Sequence, residues 1–219
     1  MSELTLIIGN KNYSSWSLRA WIFLRHYNLD FTEKRVPLFE KETDATLAKY
    51  GSDYKVPILQ DGELIVWDSL AILEYISENY LNQQGLPADP KARAVARSIS
   101  AEMHSSFTNI RNELPMNCRK QFNNIQLSES AQREVKRIEE LWEKCQQNYG
   151  SHGKWLFGDF SIADAMFVPI ALRFSGYNIP TNQNATNYIK QILQHPAIIE
   201  WIDAGKQETE IIEEDEIDG

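Results

Sequence analysis

Every strand-forming signal in this 219-residue chain falls before residue 68. The apolar run 4–8, "LTLII", reads as a buried strand, and 31–36, "FTEKRV", as a second. In 55–67, "KVPILQDGELIVW", the pair Asp61-Gly62 is a two-residue type I′ turn signal between two β-rich runs, which predicts a hairpin. Pro57 fits a strand there only if it opens it. Helical spacing fills the gaps. Leu18, Trp21, Ile22 and Arg25 predict a helix from Ser15 to about Tyr27, and 43–50 reads as a short helix. In 68–80, "DSLAILEYISENY", Leu70, Leu73, Ile76 and Tyr80 share one face. The order β-α-β-(α)-β-β-α describes a small α/β unit on one mixed sheet.

Beyond Pro90 only helical patterns occur. Residues 90–114 are continuously helical in character and stop at Leu114-Pro115. Val135, Ile138, Trp142, Cys145 and Tyr149 form an apolar stripe within 128–149, with Glu and Lys opposite. Ser161 and Asp164 have capping-box spacing, and further helices are predicted near 184–194 and 197–204. The expected organisation is an α/β unit over 1–81, a Gly/Pro-containing linker over 82–89, an all-α unit over 90–206 and an acidic tail over 207–219. That tail, "QETEIIEEDEIDG", holds seven acidic and no basic residues, within a net charge of −9. It reads as a solvated, frayed terminus.

With the tail set aside the body is nearly neutral and can accept a small anion. No basic patch with interleaved aromatics points to nucleic acid. No apolar run approaches the roughly 18 residues that span a membrane, and "MSELTLIIGN" lacks the basic region and apolar length of a signal peptide. Cys118 and Cys145 have neither CxxC nor metal-ligand spacing, so they read as helix-packed thiols and no metal is expected. Few cysteines suit a reducing, cytoplasmic compartment.

Four motifs, in order, carry a resemblance. "SSWSLR" (14–19) is similar to the "SSxSxR" signature of zeta-class glutathione S-transferases, the class of maleylacetoacetate isomerase. "KVPIL" resembles that family's cis-proline loop, and "WDSLAILEYI" its acidic-Ser helix start. "FSIADAMFVP" resembles the capping box and staple of its core helix. The resemblance covers about 205 residues. It implies a thioredoxin-like N-terminal domain joined to a helical C-terminal domain, usually as a homodimer, with glutathione as co-substrate and a small electrophile as its partner.

A free thiol with a pKa near 8.5 is a few per cent thiolate at neutral pH. Lowering that pKa by about two units needs about 2.7 kcal/mol of selective stabilisation. A charge-assisted hydroxyl bond supplies roughly 1.5–3 kcal/mol, and a helix N-terminus roughly 0.3–2 more. One serine opening the first helix is therefore enough. The resemblance places the catalytic hydroxyl at Ser14, with Ser15 able to share the task and Ser17 turned into the helix. A plain helix cap is the competing reading.

The family pattern further implies backbone pairing of the cysteinyl part of glutathione at Val56 beside a cis Pro57. It puts the γ-glutamyl end on Asp68 and Ser69 at a helix start. Lys41 and Lys55 are candidates for the glycine carboxylate and equally readable as solvated lysines. Thr108 aligns with a residue that reaches the ligand. Met103, His104 and Phe107 could wall the electrophile pocket, although such a histidine is more often a packed or capping residue. Arg173 lies about two residues from a substrate-carboxylate arginine. Trp16 stands where the zeta class has cysteine; an indole there either packs between domains or contacts substrate, and it weighs against isomerase activity. The expected activity is a glutathione transferase. The alternatives are a maleylacetoacetate-type isomerase and a non-catalytic binding protein on the same scaffold.

Overall fold

A computed structural model of the chain describes residues 3–217. Its first part runs β1(Leu4–Ile8), α1(Ser15–His26), β2(Thr32–Arg35), α2(Thr43–Leu47) with a 3-10 turn at Ala48–Tyr50, β3(Ile58–Asp61), β4(Leu64–Trp67) and α3(Ser69–Tyr80). The sheet order is β2-β1-β3-β4, with β1 parallel to β2 and antiparallel to β3, and β3 antiparallel to β4. Alternation along β1 divides its side chains between two cores. Leu4, Leu6 and Ile8 join α1 and α3 in the main core, while Ile7 packs with Ile58, Val36 and Leu47 on the opposite face.

The second part is helical: α4(Pro90–Ser105), α5(Thr108–Glu113), α6(Glu129–Tyr149), α7(Ile162–Gly176), α8(Gln183–Leu193) and α9(Pro196–Gln207). Apart from Ser175, every residue of α7 is buried; the helix packs against α1, α3, α4 and α8 and so joins the two parts. Its start is fixed by Asp164. That carboxylate accepts from the N–H and hydroxyl of Ser161 (2.9 and 2.8 Å), the N–H of Leu156 (3.0 Å) and the hydroxyl of Tyr188 (2.7 Å).

Four expectations need correction. The hairpin turn is Gly62-Glu63, one residue later than the Asp-Gly signal, because Asp61 still pairs with Leu64. Gly62 takes φ 59°, and glycine first in a two-residue loop suits a type II′ turn. Asp61 is held in the strand by the hydroxyls of Tyr75 (2.7 Å) and Tyr80 on α3. Secondly, the helix expected over 90–114 breaks at Ser106-Phe107, with Phe107 at φ 59°. The break is stabilised from a distance. The Glu134 carboxylate on α6 accepts the N–H groups of Asn109 (3.3 Å) and Ile110 (2.8 Å), acting as a borrowed cap for α5.

Thirdly, the described part of the acidic tail is a tied strap, not a frayed end. Glu208 accepts the backbone N–H groups of Lys11 (2.8 Å) and Asn12 (3.0 Å). Arg35 pairs with Glu210 (2.8 Å), and Arg119 donates to the carbonyls of Glu208 (2.7 Å) and Glu210 (2.9 Å). Glu216 accepts from Tyr13 (2.5 Å) and Asn117 (3.0 Å) and pairs with Lys120. Ile212 is buried. The basic partners lie outside the tail, so its own composition does not reveal them. Cys118 likewise lies between α5 and α6 and not on a helix; burial pushes its thiol up to about 12.

The end of α1 meets the start of α9 through two histidines. His195 Nδ1 accepts the N–H of Ala197 (3.2 Å), so its proton sits on Nε2, 3.0 Å from His26 Nδ1. Burial, then the neighbouring His195, pulls His26 down to about 4, and burial lowers His195. Both folded values lie below the unfolded value near 6.5. The unfolded chain therefore takes up these protons first. Stability is full above pH 6.5 and falls as pH drops towards 4. Because both rings are only half-buried, the loss is about 1–2 kcal/mol after allowance for solvent screening. Thermal midpoints of wild type and His26→Gln between pH 7 and 5 measure it: the wild type should lose more, and parallel curves would contradict the lowered titration of His26.

Candidate active site

Ser14 is the N-cap of α1, and the aligned peptide dipoles of the helix give that end a positive potential. Its Oγ accepts the N–H of Ser17 (3.3 Å) and donates to Ser17 Oγ (2.7 Å). Only 7% of Ser14 is exposed. Ser15 Oγ accepts from Arg173 Nη2 at 3.3 Å. Arg173 is anchored by donations to the carbonyls of Leu114 (2.7 Å) and Pro169 (3.4 Å). Arg173, offset by about two residues from the family's substrate-carboxylate arginine, thus touches the second serine with its guanidinium.

Two more guanidiniums converge here. Arg19, 2% exposed, donates through Nε to the Met166 carbonyl (3.2 Å), and its Nη1 has no hydrogen-bond partner. It stacks on Trp16 at 4.3 Å, and Arg111 approaches the same ring at 5.3 Å. Burial, then the repulsion of Arg173 and Arg111, pulls Arg19 down to about 9. Burial and Arg111 pull Arg173 down to about 10. Burial lowers Arg111, with Glu134 opposing. At neutral pH these groups stay charged, so the region favours an anion. Trp16 is half-buried, with two guanidiniums near its ring, and edge-on to His104 at 5.3 Å. Sequence reasoning missed Arg19 and Arg111 as functional residues. Arg19 carried a signal, lying three residues after Trp16 on one helix; Arg111 carried none.

At the start of α3, Asp68 Oδ1 caps the N–H groups of Leu70 (2.9 Å) and Ala71 (3.2 Å), while Oδ2 meets His104 Nε2 at 3.1 Å. Asp68 sits at φ 75°, ψ 129°, a conformation costing about 1–3 kcal/mol in a non-glycine residue and concentrated at functional sites. Ser69 is 0% exposed, and its Oγ has no hydrogen-bond partner. The Val56–Pro57 peptide is cis and immediately precedes β3.

The remaining candidates differ in exposure. Lys41 and Thr108 are exposed, and Lys55 pairs with exposed Asp53 at 3.1 Å. Met103 and Phe107 are buried in the main core. His104 touches both Trp16 and Asp68.

Residues 13–79 match the family model described as glutathione S-transferase, N-terminal domain. A probable maleylacetoacetate isomerase of Caenorhabditis elegans is 38% identical over 100 residues, 45% of this chain, and the match spans 46% of that relative's length. Glutathione S-transferase 1 of Dianthus caryophyllus is 29% identical over 71% of each chain. Among solved structures, a Burkholderia glutathione transferase homolog with bound glutathione superposes with a TM-score of 0.68 at 24% identity, covering 93% of this chain and 98% of that one. An unclassified glutathione S-transferase of Bombyx mori gives 0.72 at 22% identity, covering 94% of each chain.

Proposed function

We propose that this chain, which has the glutathione S-transferase fold with that family's N-terminal domain over residues 13–79, is a glutathione transferase in which Ser14 holds the glutathione thiolate for attack on a small electrophile. The observation that carries the reading is the Ser14 hydroxyl at the positive end of α1, with Ser15 backed by Arg173. A hydroxyl donor, a helix end and nearby cations all favour thiolate over thiol.

The other groups fit the tripeptide. Ser69 offers a buried hydroxyl without a protein partner to the γ-glutamyl carboxylate. Asp68 can accept the ammonium as well, since a carboxylate has about four acceptor sites and the cap and His104 leave room. Val56 offers backbone groups beside the cis bond. A second copy of the chain would cover Leu64 and Trp67, which are exposed on the edge strand β4.

The arginine trio favours a second reading within the same chemistry. A carboxylate on the acceptor would relieve the mutual repulsion of Arg19, Arg111 and Arg173. A maleyl diacid is such an acceptor: the thiolate adds to the cis double bond, the new single bond rotates, and elimination returns glutathione. Parallel assays with a chloronitrobenzene and a maleyl diacid separate transfer from isomerisation. Calorimetry tests both at once. We expect glutathione to bind with a Kd of about 1 mM or tighter, near −4 kcal/mol. Absence of binding heat at millimolar ligand would leave a non-catalytic scaffold protein instead.

A further inference from the structure

We propose that Ser17 is a positioning residue that reverses its hydrogen bond with Ser14 when the thiolate is present; this rests on the reading that Ser14 holds the sulfur. Ser17 is 0% exposed and lies in the first turn of α1, where its Oγ is engaged by groups of the protein itself. Its Oγ nevertheless closes a short chain of polar groups. The N–H of Gly9, just past the end of β1, donates to Ser17 Oγ at 3.0 Å. Ser14 Oγ lies 2.7 Å away on its other side. Position 9 is itself constrained: a Cβ there would lie 2.6 Å from Leu38 Cδ1 and 3.2 Å from Ser14 Cβ, so glycine lets the backbone donor approach.

With no anion nearby, the Ser14 proton points at Ser17 Oγ and is spent inside the protein. To stabilise a thiolate, Ser14 must turn that proton to the sulfur. Its Oγ then becomes an acceptor towards Ser17, and the Ser17 hydroxyl, with its own proton available, rotates to fill that role. The chain becomes Gly9 N–H to Ser17 O–H to Ser14 O–H to sulfur, every donor aimed the same way. Hydrogen bonds aligned head to tail polarise one another, strengthening each by about 10–30%. Ser17 also holds the Ser14 rotamer, so the donor does not search for its direction. No covalent bond changes; the thiol proton leaves to solvent when glutathione ionises.

The test is the pKa of bound glutathione, read from the carbon-13 shift of its labelled cysteinyl Cβ and from the pH profile of kcat/KM. Ser17→Ala and Ser17→Cys are compared with wild type and with Ser14→Ala. The cysteine variant keeps the buried volume while replacing a strong hydrogen-bonding group with a weak one. Both Ser17 variants should raise the bound pKa by about one unit, which lowers thiolate and kcat/KM about tenfold on the acid side and less at alkaline pH. A residue that only packs would leave this pKa unchanged. Wild-type pKa values in both Ser17 variants, with a raised value in Ser14→Ala, would overturn the inference and leave the Ser14 reading intact. An unchanged pKa in Ser14→Ala would instead remove that reading, and the inference with it.

Discussion

Ser14→Ala should lower kcat/KM with a chloronitrobenzene acceptor by about 10–150-fold near neutral pH, while glutathione affinity changes by less than about threefold. The lost term is one charge-assisted hydrogen bond to sulfur, worth roughly 1.5–3 kcal/mol in the thiolate state. Affinity is expected to hold because the proposed contacts of the γ-glutamyl groups are with α3 and not with the substituted side chain. Ser15 stays in place in this variant, and its hydroxyl proton, free while its oxygen accepts from Arg173, contributes to the residual rate. Steady-state rates, with calorimetry on the same preparations, measure both quantities. A variant rate within threefold of wild type would reject Ser14 as the thiolate partner. Loss of the helix cap has its own cost of about 1 kcal/mol, seen as a lower thermal midpoint and not as a rate effect.

The largest stability effect is expected at Asp164→Ala. The native carboxylate is 0% exposed and satisfies four donors from three residues. Removing it leaves two backbone N–H groups, a serine hydroxyl and a tyrosine hydroxyl buried without their acceptor. Orphaned groups of this kind cost about 1–3 kcal/mol each before relaxation, and a broken buried network typically costs about 3–5 kcal/mol in sum. For a chain of this size that is a fall of about 6–20 °C in Tm. Differential scanning calorimetry decides it; a loss under about 1 kcal/mol would mean that water replaces the carboxylate. The site would feel the change, because Arg173 rides on α7 and Arg19 donates to the Met166 carbonyl of the same helix.

Much of this architecture is legible in the sequence because local chemistry and global fold agree there. The alternation in 4–8, the helical spacing after Ser15, the acidic start of α3 and the Ser161–Asp164 box each specify one local structure. Where the sequence misleads, the deciding atom is far away. Asp61-Gly62 is a turn signal, but two tyrosine hydroxyls from α3 hold Asp61 in the strand. Residues 90–114 are good helix formers throughout, but Glu134 caps a second helix after Phe107. The serines and Asp68 could be placed from motif order. The convergence of Arg19, Arg111 and Arg173 on Trp16 and Ser15 could not, since it joins α1, α5 and α7 through tertiary packing alone.

The strap has a kinetic meaning as well as a structural one. The loop before α1 is tied to Glu208 and Glu216 across sequence separations of 197 and 203 residues. Contacts so distant along the chain form late, because the entropy of closing the intervening loop is lost before they can repay it. The strands and α1 have near neighbours and can assemble early. The backbone that presents Ser14 therefore acquires its final restraints only after the helical half has docked. Catalytic competence should lag behind the recovery of helical signal on refolding, and the delay should depend on residues that never meet the substrate.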